Sequence, residues 1–187
     1  MTITWLGHSC FVLESGGFRA LLDSYKCVRG FPDITAEADA VYCSHGHFDH
    51  AYTEGVTFSG GEPLTYGAYL EQIARKCREN RIDVCIESCG YSSFDSFKGA
   101  LPYINSMFMD IKIINPQKHE EVTGRSNQLI LDNIRRISEY GVPLTIRTPI
   151  VPGYTDTEEN VRGIAEFVSG LDTVTEYELL RYHNFGE

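Results

Sequence analysis

The stretch Val56-Thr-Phe-Ser-Gly-Gly-Glu-Pro63 determines the predicted fold, because it joins a short β-like run to a tight glycine-rich turn. Paired glycines let the backbone approach a ligand closely. Carbonyl groups of such a turn, with the Glu62 carboxylate, can accept hydrogen bonds from a ligand ammonium group. The alternative is a plain tight turn. The stretch therefore predicts a strand that ends in a binding turn.

From residue 55 onward, strand-like and helix-like segments alternate. The predicted strands are 55–59, 82–87, 106–111, 143–148 and 174–180. The predicted helices are 66–80, 94–101, a helix with Ser126 as its N-cap that ends at Gly141, and 157–168. Strands that alternate with helices indicate βαβ units in a parallel sheet or barrel. The sequence therefore predicts an α/β fold for this part of the chain.

Unusual polar residues and glycines follow the predicted strands at their carboxyl ends. They are Gly60, Gly61, Glu62, Glu87, Ser88, Asp110, Lys112, Arg147 and His183. The carboxyl ends of parallel strands converge on one face, where active sites are built. Two readings without a ligand stay open: Asp110 and Lys112 as a strand-end ion pair, and Arg147 as a solvated charge. The shared position favours a single binding site.

The first 54 residues have a different texture, with predicted strands at 2–6, 10–14, 18–23 and 38–44 and a hairpin turn at Gly16-Gly17. The last strand runs into His45-Gly-His-Phe-Asp-His50. Two imidazoles two residues apart on a loop can bind one cation, and the following Asp-His pair can hold a second. The loop therefore predicts a metal site formed by His45, His47, Asp49 and His50. The alternative is a solvated polar loop.

The net charge indicates which kinds of partner are disfavoured, and the cysteines indicate the cellular compartment. The net charge of −10 argues against nucleic acid or an anionic membrane, since both need a basic surface. No signal peptide and no membrane-spanning run is expected from the sequence. Nothing suggests secretion, so the six cysteines are expected to be reduced thiols of a cytoplasmic protein.

Residues 55–187 resemble the activating enzymes of glycyl-radical enzymes in the radical SAM superfamily, such as pyruvate formate-lyase activating enzyme. The matching stretches are Val56–Pro63, Ile86-Glu-Ser-Cys-Gly-Tyr91, Met109-Asp-Ile-Lys112, His119 with Thr123–Asn127, Ile146–Asp156 and Glu178–His183. The resemblance implies a partial (β/α) barrel, an oxidoreductase activity and a glycyl-radical enzyme as partner. It also implies that Gly60, Gly61 and Glu62 hold the amino-acid end of S-adenosylmethionine, with Ser88, Asp110, Lys112, Arg147 and His183 lining the rest of the site.

The chain departs from that family at the iron–sulfur cluster. The family holds a [4Fe–4S] cluster with a Cys-x3-Cys-x2-Cys loop, and this spacing does not occur in the sequence. Cys85 and Cys89 are four apart, but the third position is Ser92, so both are expected to be core thiols. The first strand of the family barrel is also expected to be missing, and the C-terminus to be cut short. The expected protein is catalytically incomplete, or depends on a cluster supplied elsewhere.

Residues 1–54 resemble the N-terminal part of metallo-β-lactamase-fold hydrolases of the lactonase-like kind. The likeness lies in Thr4–Phe11, Leu21-Leu-Asp23 and Ala38–His50. It implies zinc on His45, His47 and His50, Asp49 on a second metal, and a metal-dependent hydrolase as the alternative function. The whole chain then reads as an incomplete radical-SAM-type partial barrel preceded by a short metallo-β-lactamase-like β segment. A non-enzymatic product of two fused gene fragments is the third hypothesis.

If the first strand of the family barrel is missing, strand 56–58 needs another strand to pair with. Strand 56–58 is expected to present an open edge, which seeks a partner. Strand 38–44 is the candidate, in a parallel pair that would bring the histidine loop to the face of Glu62. The competing arrangement is a separate N-terminal β unit.

Overall fold

The computed structural model describes residues 1–42, 44 and 55–181. The chain divides into two compact units, residues 1–54 and 55–187, each with its own apolar core. The predicted metal ligands His45, His47, Asp49 and His50, and the predicted site residue His183, lie outside the described residues.

The first unit contains a four-stranded sheet in the order β1 (Thr2–Gly7), β2 (Cys10–Ser15), β3 (Phe18–Leu22) and β4 (Ala40–Tyr42). The first three strands are antiparallel, and β4 runs parallel to β3. Gly16 and Gly17 have φ of 57° and 82°, as a two-residue hairpin turn of this twist requires. A small core of Cys10, Val12, Leu21 and Tyr25 lies on one face of this sheet.

The prediction that strand 38–44 pairs with strand 56–58 is wrong. The residues Ala40 to Tyr42 pair with β3, from Ala20 to Leu22. The register is held just before the strand begins, where the Asp39 carboxylate accepts a hydrogen bond from the Arg19 amide at 2.6 Å and the Asp39 amide donates to the Arg19 carbonyl at 2.8 Å. These two hydrogen bonds hold the segment in the four-stranded sheet of residues 1–54.

The second unit is a five-stranded parallel sheet whose strands follow one another in chain order. The strands are β5 (Gly55–Phe58), β6 (Asp83–Ser88), β7 (Ser106–Asp110), β8 (Leu144–Ile150) and β9 (Val174–Arg181). The helices are α1 (Gly67–Glu79), α2 (Phe94–Phe97), α3 (Pro116–Thr123), α4 (Gln128–Tyr140) and α5 (Glu158–Ser169). Parallel strands in sequential order with intervening helices form a partial (β/α) barrel, which confirms the predicted fold of this part.

Burial alternates along the central strands and sorts their side chains onto two faces. Ile86, Met109 and Ile146 are fully buried in the core together with the apolar stripe of α4. The residues between them are only partly buried, and Glu87, Phe108, Asp110 and Arg147 are among these. Since side chains alternate across a strand, the polar residues share the face that turns away from the core.

Helices α2 and α3 differ from the prediction. Helix α3 was not predicted, although Asn115 caps it by accepting hydrogen bonds from the amides of Gln117 and Lys118, with Pro116 as its first residue. The predicted helix 94–101 is a single turn, α2, followed by a 3₁₀ turn at Leu101–Tyr103. No helix among the described residues is long and apolar enough to span a membrane.

Candidate functional site

The turn after β5 is shaped by two consecutive glycines with left-handed backbone. Gly60 has φ of +79° and Gly61 has φ of +54°, a region that costs other residues about 1–2 kcal/mol. A Cβ atom built on either glycine would meet nothing within 4 Å. The left-handed backbone explains the need for glycine, and the open space above both residues leaves room for a ligand to approach the main chain.

Glu62 connects this turn to the loop after β6. One carboxylate oxygen accepts hydrogen bonds from the Leu64 amide (3.0 Å) and the Ser88 hydroxyl (2.7 Å). The other accepts from the amide and the thiol of Cys89, both at 2.9 Å. Four donors fill the acceptor capacity of a carboxylate. In this geometry Glu62 braces the turn, and the main-chain groups of Gly60 and Gly61 are the ones placed to meet a ligand.

The loop after β6 is fixed from both sides. The Ser88 hydroxyl accepts from the Gly90 amide at 2.8 Å, and Asn133 of α4 donates to the carbonyls of Gly90 (2.8 Å) and Ser92 (2.7 Å). Burial, followed by the hydrogen bond to Glu62, raises the pKa of the Cys89 thiol. Cys89 is therefore a neutral hydrogen-bond donor at physiological pH. Cys89 was expected to be a core thiol, but its side chain is only half-buried and contacts Glu62.

Arg147 stands at the centre of a charged network on the open face. Its guanidinium donates to Glu87 of β6 at 2.7 Å and to Glu178 of β9 at 2.7 Å. The Phe108 ring lies 3.5 Å from the guanidinium carbon. Hydrogen bonds from the Ser59 hydroxyl and from Arg147 hold the pKa of the Glu87 carboxyl below its ordinary value. Arg147 is thus an ordered element of the face, so the reading as a solvated charge is wrong.

Asp110 and Lys112 follow β7 beside this network. Burial raises the pKa of the Asp110 carboxyl, with Lys112 and Arg147 opposing that shift. The carboxylate lies 4.0 Å from the Lys112 ammonium, which is a loose ion pair. Both side chains keep more than a third of their surface exposed, so both can still reach a ligand.

The structure brings the predicted site residues together in two groups. Glu62 and Ser88 are in direct contact, and Arg147 lies in register between Asp110 and Glu178 on neighbouring strands. The contributions of Ser59, Cys89, Phe108 and Glu178 were not assigned from the sequence. Glu178 had a usable signal, because it lies in the same motif stretch as His183.

The described residues do not offer a ligand set for an iron–sulfur cluster. The cysteines at positions 10, 27, 77, 85 and 89 are free thiols. Within residues 1–42, 44 and 55–181, no three Cys, His, Asp or Glu side chains are grouped so that they could hold a metal ion. Cys43 lies outside the described residues.

Comparison with known proteins shows the family to which the chain belongs. The model of the radical SAM superfamily matches residues 44–168. The isethionate sulfite-lyase activating enzyme of Oleidesulfovibrio alaskensis is 39% identical over 180 residues, which cover 94% of this chain and 55% of that protein. The pyruvate formate-lyase-activating enzyme of Staphylococcus aureus USA300 is 34% identical over 172 residues, which cover 88% of this chain and 68% of that protein. The chain spans about half the length of the isethionate relatives it matches.

Solved structures show the same likeness. A domain of pyruvate-formate lyase-activating enzyme from Bacteroides vulgatus superposes with a TM-score of 0.64 and 30% identity, over 70% of this chain and 81% of that domain. Streptococcus suis SuiB bound to S-adenosylmethionine shares the fold with a TM-score of 0.59 at 16% identity, over 71% of this chain and 30% of SuiB. The chain therefore belongs to the radical SAM superfamily, and within it is an activating-enzyme-like protein whose homologues activate glycyl-radical enzymes.

Proposed function

We propose that this protein binds S-adenosylmethionine at the carboxyl edge of its five-stranded sheet. The observation that carries the proposal is the Gly60-Gly61 turn, where left-handed backbone and open space coincide beside a braced loop. The methionyl ammonium group would meet the main-chain carbonyls of the two glycines. Glu62 would support that site through its contacts with Ser88 and Cys89.

Charge on the open face supports a cationic ligand. Glu87, Asp110 and Glu178 provide three carboxylates, against Arg147 and Lys112 as the cations. S-adenosylmethionine carries a sulfonium, an ammonium and a carboxylate, so its net charge suits a face with surplus acid. Lys112 is the candidate for the ligand carboxylate, and Asp110 for a hydroxyl or ammonium donor. His183 keeps its assignment to this site by resemblance alone.

Binding can be tested without any activity measurement. Replacing Gly61 by alanine is expected to weaken S-adenosylmethionine binding by at least about tenfold, because the new Cβ enters the ligand space and strains the turn. Gly141→Ala is the matched control: it also has positive φ and open space, but it ends α4. Calorimetric titration should show near-normal affinity for the control. Equal affinities in wild type and Gly61→Ala would place the ligand elsewhere.

S-adenosylmethionine supplies a sulfonium whose reductive cleavage needs an electron donor, and we propose that this chain does not hold that donor itself. The support is the absent three-cysteine spacing and the raised pKa of Cys89, which disfavours a thiolate ligand. The protein would then be catalytically incomplete. By its relatives, its partner would be a glycyl-radical enzyme.

Anaerobic reconstitution with iron and sulfide tests this point. No stable [4Fe–4S] centre is expected, by absorption and by iron and sulfide content after desalting. Cys85→Ala and Cys89→Ala variants are the controls for adventitious binding. A stoichiometric cluster in wild type that disappears in either variant would show that the thiols do serve as ligands.

A second candidate function concerns residues 1–54, which we propose to be a metallo-β-lactamase-like fragment with a zinc site. The favouring observation is that the segment before the histidine loop is anchored: the Ser44 amide donates to the Asp23 carboxylate at 2.5 Å, and the Asp23 amide donates to the Tyr42 carbonyl at 2.8 Å. A hydrolase would need this loop to hold the metal.

Zinc titration provides the test. The loop is expected to bind Zn²⁺ more weakly than a complete dinuclear site, because the resemblance covers only the N-terminal part of that fold and so provides about half of the expected ligands. Calorimetry on wild type and on a His45→Ala, His47→Ala double variant should show loss of the zinc heat. Unchanged binding in the double variant would remove the loop as the site, and with it the hydrolase hypothesis.

A further inference from the structure

One face of the four-stranded sheet is apolar except for Ser15, which lies opposite Phe18. Residues directly opposite each other in neighbouring strands share a face, and the register joins Trp5 to Phe11 and Phe11 to Leu22. The same face continues through Ile3, Leu13, Phe18, Ala20, Ala40 and Tyr42, and these residues together are termed the apolar face. The small core of the unit, with Cys10, Val12 and Leu21, lies on the opposite face.

The apolar face is open. Trp5 is 60% exposed, Ile3 59%, Tyr42 57% and Phe18 51%. Isolated exposed apolar residues are ordinary, but contiguous ones mark an interaction surface. Four aromatic side chains of about 200 Å² each, roughly half exposed, leave about 400 Å² in addition to the aliphatic members. A patch of this size matches the largest apolar patch of a typical monomer, which is often a functional surface.

The distribution of charge on this sheet favours a second copy of the chain as the partner. The charged residues of β1–β4 are Glu14 and Arg19, which lie on the core side and pair with each other at 2.6 Å. The apolar face therefore carries no charge, in a chain whose net charge is −10. Two copies of such a chain repel over most of their surfaces, and a neutral face is where they can meet. The absence of basic residues on the face disfavours an anionic bilayer.

We infer that the apolar face is an interface between two copies of this chain, packed sheet on sheet. Twisted sheets pack face to face about 10 Å apart, with side chains of the inner faces interdigitating. Two such faces bury roughly 1,000 Å² in total, which is the lower limit for a specific stable interface. The expected assembly is a two-fold symmetric dimer of moderate affinity that dissociates on dilution.

Trp5 makes the test direct, since it is the single tryptophan of the chain and belongs to the face. Sedimentation of the full-length protein over about a hundredfold range of concentration should show a monomer–dimer equilibrium. The Trp5 emission should shift to the blue, and its quenching by acrylamide should fall, as the dimer forms. An Ile3→Glu, Phe18→Glu double variant should weaken dimerisation by at least about a hundredfold, because it places charges in the interface.

The matched control is a Thr2→Glu, Thr4→Glu double variant, which adds the same charges at exposed positions on the other face of β1. It should dimerise like wild type, and circular dichroism should show both variants folded. A monomer at every concentration overturns the inference, whether Trp5 is accessible or is shielded by another part of the chain. A dimer that the Ile3, Phe18 variant leaves intact overturns it as well.

Discussion

Replacing Arg147 by methionine is expected to lower the free energy of unfolding by about 2 kcal/mol, because two charge-assisted hydrogen bonds and the stacking on Phe108 are lost together. The Arg147 side chain is only 22% exposed, so water replaces it poorly between Glu87 and Glu178. Urea denaturation followed by circular dichroism measures the loss. Arg147→Lys should fall in between, since one ammonium cannot match the fork geometry that serves both carboxylates.

The loss in Arg147→Met should depend on pH in a defined direction. The hydrogen bonds from Ser59 and Arg147 hold the folded-state pKa of Glu87 below its unfolded value. A carboxyl group of this kind adds stability above the unfolded pKa, about 4.3, and loses it as the pH falls through the folded pKa. The difference between wild type and variant should therefore be complete at neutral pH and shrink below about pH 4.

Arg135→Met is the matched control. Arg135 also pairs with a carboxylate, Asp132, at 3.0 Å, and lies 4.8 Å from the ring centre of Phe167, but this pair is on the surface of α4. Its loss should cost less than about 1 kcal/mol. Equal losses for the two arginines, or a loss in Arg147→Met that does not vary with pH, would contradict the network described above.

The positions of the barrel strands were predictable from the sequence, because apolar residues recur along the central strands and turn residues bound them. Helix α3 escaped prediction because it buries little: of its residues only His119 is buried, so no apolar stripe marks it. The expected N-cap of α4 was wrong by one residue for a tertiary reason. Asn127 occupies that position, and its amide donates to the carbonyls of Ile113 and Ile114 instead of capping.

The site could be predicted to the level of a face, since parallel strands bring their carboxyl ends together whatever the register. The side-chain contacts within the site could not be predicted. The bridge from Arg147 to Glu178 depends on the register of β8 with β9, which contains an irregularity between Leu144 and Thr145. The role of Glu62 depends on a loop 26 residues further along the chain folding back to it. Neither relation leaves a local mark in the sequence.

Replacing Glu62 by alanine is expected to weaken S-adenosylmethionine binding by more than about tenfold and to lower the free energy of unfolding by about 2 kcal/mol. The carboxylate is the common acceptor for Leu64, Ser88 and Cys89, so its removal leaves those donors without their partner and frees the Gly60-Gly61 turn. Glu62→Gln should be intermediate, because its amide oxygen can accept from one side while its NH₂ group faces the remaining donors.

Amide hydrogen exchange distinguishes this brace from a general loss of stability. In Glu62→Ala the amides of Leu64 and Cys89 should exchange faster, while core amides of β7 and β8 keep their relative protection. Glu79→Ala is the control: it removes a 2.8 Å ion pair with Lys76 on the exposed face of α1 and should change stability by less than about 0.5 kcal/mol. Normal ligand affinity in Glu62→Ala, with faster exchange at Leu64 and Cys89, would mean that the turn binds without its brace and that the ligand relies on contacts from other strands.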